Sequence, residues 1–252
     1  MHKRILYNMI SVMRKQEHII HTTEIGVAIK SPQLPLWIIL KHPINNIQSI
    51  QLFFSDFLQK HPEPLIGLVA TEKIALLFAK LYNQPFSKRE MVAYYLKENI
   101  KSYETANNYI RPPTQIQDIK LVQKWIHDFY ITTLNVTPPS FSASSASNGN
   151  KSHNLTNTQI YLLKTENEVV AMGMISDAID NICRINLIYT PPHLRGRGYG
   201  KQMVHGLVSM VQAEGHIPML YTTLENTIAN KLYQSLGFIK AGQLTEILFV
   251  KH

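Results

Sequence analysis

The chain has 252 residues, enough for one large domain or two ordinary ones, and its 45% hydrophobic and 17% charged content is that of a globular protein. No apolar run approaches the ~18–20 residues that span a bilayer, and Cys183, the only cysteine, excludes an internal disulfide and a zinc–thiolate cluster and fits a reducing, cytoplasmic setting. The net charge of +8 sits mainly in residues 1–113, with 14 basic against 8 acidic side chains; without a compact basic cluster or interleaved aromatics it reads as solvated surface rather than a nucleic-acid interface.

The opening stretch, "MHKRILYNMISVMRKQEHIIH", is basic and partly apolar. Arg14 and Lys15 interrupt it, so it reads as a first element of the fold rather than a signal peptide. "EIGVAIK" and "LPLWIILK" read as strands. Ile47, Ile50, Phe53, Phe54, Phe57 and Leu58 are spaced for one face of a helix. "LIGLVAT" reads as a buried strand, "TEKIALLFAKLYNQ" as a helix with Thr71 at its N-cap, and "REMVAYYLKEN" as a strand. These elements make an α/β domain over 1–107 with no evident catalytic motif. Arg111-Pro112-Pro113 is a break, and a second domain is expected over 108–252.

That second domain begins with a helix carrying Ile119, Val122, Trp125, Ile126 and Phe129 on one side. Thr137–Asn154, rich in Ser, Asn and Pro, has too little apolar surface to offset ordering and reads as a loop inserted between helix and strand. "QIYLLKTENEVVAMGMIS" reads as a hairpin turning near Glu166–Glu168, and "ICRINLIYT" as a strand in which Cys183 is a buried thiol. A glycine loop follows, then a helix to about Ala213, the strand "IPMLYTT", a helix ending at Gly237 in the C′ position, and the strand "AGQLTEILFVK".

The glycine loop, "RGRGYG" at 195–200, joins a strand to a helix N-terminus. Free backbone N–H groups and the helix dipole favour an anion there, glycine permits positive φ and close approach of a phosphate, and Arg195 and Arg197 can add charge-assisted hydrogen bonds. The pattern suits a phosphate or pyrophosphate ligand. It is not a Walker loop, because Gln202 stands where Ser or Thr would follow Gly200-Lys201. Nor is it a dinucleotide fingerprint: the third glycine comes one residue early, and no acidic residue ends the next strand. A ligand-free glycine turn remains the alternative.

"IYTPPHLRGRGYGKQMV" resembles the acetyl-CoA-binding segment of the GNAT N-acetyltransferase superfamily: Arg195-x-x-Gly198-x-Gly200, with Pro192 three residues ahead. "LENTIANKLYQSLGF" resembles a second segment of that family through Asn226, Ala229, Tyr233, Gly237 and Phe238. The resemblance covers about residues 108–252. It implies a mixed α/β (α+β) fold with a mostly antiparallel central sheet flanked by helices. The first domain is compatible with a smaller, degenerate half of the same kind that has kept no glycine loop.

The resemblance further implies acetyl transfer from acetyl-CoA to a primary amine. The backbone of Arg195, Gly196, Arg197, Gly198, Tyr199 and Gly200 would hold the pyrophosphate. The strand edge Ile188-Tyr189-Thr190 would align the thioester and stabilise the developing oxyanion, and Asn226 would contact the cofactor unless it serves as an N-cap. Tyr233 would be the general acid for the leaving thiolate, since a phenol near pKa 10 is protonated at neutral pH. The base is open among Glu225, Tyr221, His193, Asp177 and Asp180. A buried Cys183 favours direct attack in a ternary complex over an acetyl-enzyme. The expected partners are acetyl-CoA and an amine acceptor, with no metal and no membrane. The alternatives from other classes are a non-catalytic acyl-CoA sensor and a nucleic-acid-binding protein.

Overall fold

A computed structural model describes residues 19–30, 35–41, 46–102, 108–134, 159–178 and 181–250. Residues 1–18 of the opening basic segment, the Ser-rich loop and Asp180 lie outside them. The chain divides into two compact units, one of residues 1–94, 221–230 and 240–252, the other of 95–220 and 231–239. Neither unit is a continuous stretch, whereas the sequence pointed to continuous domains of 1–107 and 108–252.

The first unit holds strands β1 (Ile19–Thr22), β2 (Gly26–Lys30), β3 (Leu36–Leu40), β4 (Gly67–Ala70), most of β5 (Phe86–Tyr95) and most of β11 (Ile239–Phe249), in the order β1-β2-β3-β4-β11-β5. β1/β2, β2/β3 and β4/β11 pair antiparallel, while β3/β4 is parallel, with Leu36 opposite Leu68. Helix α1 (Ile47–Lys60) starts at Asn46, whose side chain accepts from Gln48 N–H at 2.9 Å. Its apolar spacing buries Ile50, Phe53, Phe54 and Phe57 against Ala28, Leu68 and Ile247 of the sheet and Phe78 of α2 (Glu72–Tyr82). Ile47, expected on the same face, is exposed in the first turn. Thr71 stands at the N-cap of α2 as expected, but its backbone carbonyl, not its hydroxyl, takes the Ile74 and Ala75 N–H groups.

The second unit holds β6 (Tyr109–Arg111), α3 (Ile116–Phe129), β7 (Gln159–Lys164), β8 (Val169–Ile175), β9 (Ile182–Tyr189), α4 (Tyr199–Ala213), the start of β10 (Ile217–Thr223) and the end of α5 (Thr227–Ser235). Its strand order is β10-β9-β8-β7-β6, antiparallel except for β9/β10. The fold is thus mixed α+β with mostly antiparallel pairing and flanking helices. Val122, Trp125 and Ile126 of α3 pack on Ile160, Leu162, Met172 and Tyr189, while Ile119 is turned outward. Arg111, read as a break, ends β6 opposite Leu162 and forks onto Asp118 at 2.6 and 2.9 Å. Glu98, Ile100 and Lys101, after β5, lie along α4: Gln212 donates to the Glu98 carbonyl and accepts from Ile100 N–H, and His205 Nε2 lies 2.8 Å from the Lys101 carbonyl.

Candidate active site

β9 and β10 pair only over Ile182–Arg184 and Ile217–Met219; β9 then runs five residues past that ladder to Tyr189. Within this stretch its register against β8 shifts: Met174 faces Asn186, but Met172 faces Tyr189. Leu187 and Ile188 of β9 thus stand opposite the single Gly173, so the bulge adds one residue to β9. Leu187 takes φ +50°, a left-handed conformation that costs a branched side chain about 1–3 kcal/mol and turns the local backbone off the ladder. Gly173 makes the bulge fit: a β-carbon there would meet both Ile188 Cδ1 and Leu207 Cδ1 at 2.7 Å.

After Tyr189 the chain turns through Pro191 and a short 3₁₀ turn, Pro192–Leu194, that buries Leu194. Arg195 folds back, its Nε donating to the Thr190 carbonyl at 3.0 Å and its guanidinium lying 5.9 Å from the Tyr189 ring centre. Tyr189 is itself held against Trp125, 5.9 Å between ring centres, and burial pushes its phenol up. Arg195 therefore braces the loop, while Arg197 is exposed.

Gly196 and Gly198 have φ of +78° and +79°, and a β-carbon on either would meet nothing within 4 Å. These two glycines answer a backbone requirement, not a crowded one. Gly200 differs: its φ is not positive, and a β-carbon would make only ordinary contact with Thr190 Oγ1 (3.8 Å) and Leu232 Cδ1 (3.9 Å). Nothing in the fold demands glycine there. Gly198 caps α4 without a capping side chain, and the first intrahelical bond is Gln202 N–H to the Gly198 carbonyl at 3.1 Å. The first-turn amides of Tyr199 and Gly200 precede it, so the helix opens with positive dipole and donors that its own ladder does not use. An anionic group fits that cradle.

Leu232 brings the end of α5 to the start of α4. Its neighbour Tyr233 is buried, with its ring 6.0 Å from Phe238 and its carbonyl accepting from Phe238 N–H. Asn226 belongs to the other compact unit, where its Oδ1 accepts from Ala229 N–H at 3.1 Å as an N-cap. Of the candidate bases, Tyr221 and Glu225 also fall in that unit; His193 and Asp177 are exposed.

Residues 122–238 match the model of the Acetyltransferase (GNAT) family. Over this span, somewhat under half of the chain, the sequence is similar to the GNAT acetyltransferases. This span contains the glycine loop, the bulged strand and Tyr233. Over 74 residues the chain is 31% identical to the [Ribosomal protein bS18]-alanine N-acetyltransferase of Haemophilus ducreyi, covering 29% of this chain and half the length of that relative. Two solved GCN5-related N-acetyltransferases share the fold: one from Kribbella flavida (TM-score 0.65, 10% identity, 99% of this chain and 95% of that one) and one from Sphaerobacter thermophilus (0.62, 11%, 96% and 85%).

The sequence reading missed two features of this span. One is the Leu187 bulge, which no residue type announces. The other is Asn186, whose Oδ1 is buried and meets no hydrogen-bond donor among the described residues. Its only signal was a polar residue inside the apolar run "INLIY". Cys183 is buried as expected, and burial pushes its thiol up to about 11. Among the described residues no group of His, Cys, Asp and Glu could hold a metal, and no helix is long and apolar enough to cross a membrane.

Proposed function

We propose that this chain is an acetyl-CoA-dependent N-acetyltransferase acting on a primary amine by direct attack in a ternary complex. The observation that carries the reading is the α4 cradle: a left-handed Gly198 cap, first-turn amides ahead of the first helical bond, and a Gly200 that the fold itself does not require. Backbone amides of 195–200 would bind the pyrophosphate, and the backbone of Ile188-Tyr189-Thr190, freed from β10, would align the pantetheine and donate to the thioester oxygen. The amine lone pair forms the new N–C bond, the C–S bond breaks, Tyr233 protonates the departing sulfur, and the proton shed by the nitrogen passes to solvent, which in turn restores the phenol. A buried thiol that ionises only near 11 is a poor nucleophile at neutral pH, which supports transfer without an acetyl-cysteine.

A peptide α-amine is the acceptor best suited to such a site. With a pKa of about 7.7–8.0 it is partly neutral at physiological pH, whereas a lysine near 10.4 needs a strong base. The relative from Haemophilus ducreyi is named for an alanine of a ribosomal protein, which supports the same class. The test is calorimetric titration of acetyl-CoA and CoA into the wild type and into Gly200→Ala. Micromolar binding lost in the variant, with its fold intact, is expected. A folded wild type that binds neither would refute the reading.

A further inference from the structure

We infer that Asn230 is a positioning residue for the proposed general acid: by tying the first turn of α5 to the end of β10 and to Tyr94 of β5, it fixes the height and rotation at which that helix presents Tyr233. This rests on the acetyltransferase reading above.

Helix α5 is nine residues long, too short to be stable through its own backbone bonds. Its packing is thin as well. Tyr233 is the one buried residue among the nine, all of them described; Ile228 is 82% exposed, and Ala229, Asn230 and Leu232 are half-buried. A helix with a single buried side chain has no apolar stripe to set its rotation. Polar contacts take that part, and they converge on Asn230. Its Nδ2 donates to the carbonyls of Asn226 at 2.8 Å and Thr223 at 2.9 Å, with Leu224 at 3.3 Å, and its Oδ1 accepts from the Tyr94 hydroxyl at 2.7 Å. Tyr94 is fully buried, and on the same strand the Glu90 carbonyl accepts from Leu224 N–H at 2.8 Å. Thus β5 holds the end of β10 through a main-chain bond and the start of α5 through a side-chain bond, and Asn230 joins the two.

The residue type suits this task. One planar amide accepts from a phenol and donates to the carbonyls at the end of a strand and the start of a helix; a carboxylate could accept but not donate, and an alanine could do neither. Asn230 and Tyr233 stand three residues apart on one helix, neighbours on its surface and roughly 4.5 Å apart along its axis. A shift in the first turn therefore carries to the phenol. Between them and the glycine loop lies Leu232, whose Cδ1 is 3.9 Å from the place of a β-carbon on Gly200. A general acid works only within hydrogen-bond reach of the atom it protonates. A displacement of about 1 Å can lower a rate about a hundredfold. The contacts of Asn230 named above are all with the protein, so its effect falls on the chemical step and not on the hold on acetyl-CoA.

The test uses the full chain, acetyl-CoA and the fastest of three amines: an alanine-led tripeptide with a free α-amine, a lysine with its α-amine blocked, and spermidine. CoA thiol release gives kcat, calorimetry gives the acetyl-CoA affinity, and thermal melts check the fold. Asn230→Ala should lower kcat by about 10- to 100-fold and leave acetyl-CoA affinity within about threefold. Tyr94→Phe, which keeps the ring in the core and removes the bond to Asn230, should lower kcat by up to about tenfold in the same way, and it carries the test should Asn230→Ala fail to fold. The deciding measurement is a double-mutant cycle in kcat. In a Tyr233→Phe background neither substitution should cost more than about a further twofold, because the group they position is gone. A merely structural residue would lower kcat by the same factor in both backgrounds, and that result would overturn the inference while leaving the enzyme reading intact. So would a kcat within about twofold of wild type in both single variants, or a loss confined to acetyl-CoA affinity. Acetylation of none of the amines by a wild type that binds acetyl-CoA would overturn it too, and a wild type that does not bind acetyl-CoA removes both readings.

Discussion

Ile110 of β6 lies against the backbone of Gly206 in the middle of α4, in the space that a β-carbon on Gly206 would occupy. The glycine costs the helix about 1 kcal/mol of propensity relative to alanine and lets the strand side chain approach the helix axis. Gly206→Ala should therefore lower stability by about 1–3 kcal/mol through overpacking, despite its better propensity. The double variant Gly206→Ala/Ile110→Ala should recover part of the loss, because the clash is gone. A double-mutant cycle by chemical denaturation checks this: additive losses would show that the two residues are not coupled.

Gly198 and Gly200 separate by mechanism. Gly198→Ala puts a β-carbon at φ +79° and should cost about 1–2 kcal/mol with no steric contact involved. Gly200→Ala places a β-carbon in ordinary contact within a helix and should leave Tm unchanged or slightly raised. Under the proposed function it should weaken acetyl-CoA more than about tenfold, because the methyl group occupies the approach to the first-turn amides. Thermal melts and calorimetry on both variants read the two effects independently.

How far the sequence was legible depends on where each signal lives. Helix α1 was readable because Ile50, Phe53, Phe54 and Phe57 repeat at helical spacing, and the buried side chains follow that spacing. Ile47 and Ile119 share the spacing yet face outward, because a terminal residue or one at the edge of the stripe need not be covered. The glycine loop was legible because left-handed backbone leaves a residue-type trace. The bulge at Leu187 was not: leucine carries no such trace, and the strain is imposed by β8 pairing on either side of it. Arg111 was read as punctuation because two prolines follow it, while its partner Asp118 stands seven residues on. Asn230 is not among the residues that the sequence singles out. It accepts from Tyr94 at 2.7 Å and donates to the carbonyls of Thr223, Leu224 and Asn226, contacts that only the folded chain brings together.

Asp118 closes the start of α3. It takes a two-pronged contact from Arg111 and the Thr114 and Gln115 N–H groups, and the guanidinium with these amides holds its carboxyl far below the usual carboxylate range. Because the folded state lowers this pKa, its contribution is fully present above the unfolded value near 3.8 and is lost as pH falls below it. Asp118→Asn should cost about 1.5–3 kcal/mol near neutral pH, the worth of charge-assisted bonds. The gap between wild type and variant should narrow as the pH is taken well below 4 in a denaturation series. A gap that stayed constant across that range would exclude the ionised carboxylate as its source.

Cys183 should be silent until the fold opens. Its thiol is buried and pushed up to about 11, so at pH 8 almost no thiolate exists and none is reachable. A chromogenic disulfide reagent should titrate no thiol in the native chain and one in denaturant. Cys183→Ala should retain acetyl transfer within a few-fold. Rapid labelling of the native thiol, protected by acetyl-CoA, would instead point to an acetyl-enzyme.

Tyr233 is the residue on which the proposed chemistry depends most. It is buried beside Phe238 and adjacent to Leu232, which reaches the Gly200 turn, so removing only its hydroxyl leaves the packing of the ring in place. If the phenol protonates the departing thiolate, Tyr233→Phe should lower kcat by about 10²–10⁴, the usual worth of a general acid, with acetyl-CoA affinity unchanged. The loss should shrink with a thioester whose thiol is more acidic, since that leaving group needs less help. Steady-state kinetics with two thioesters resolves it: equal losses with both would assign Tyr233 to packing and leave protonation of the thiolate to solvent.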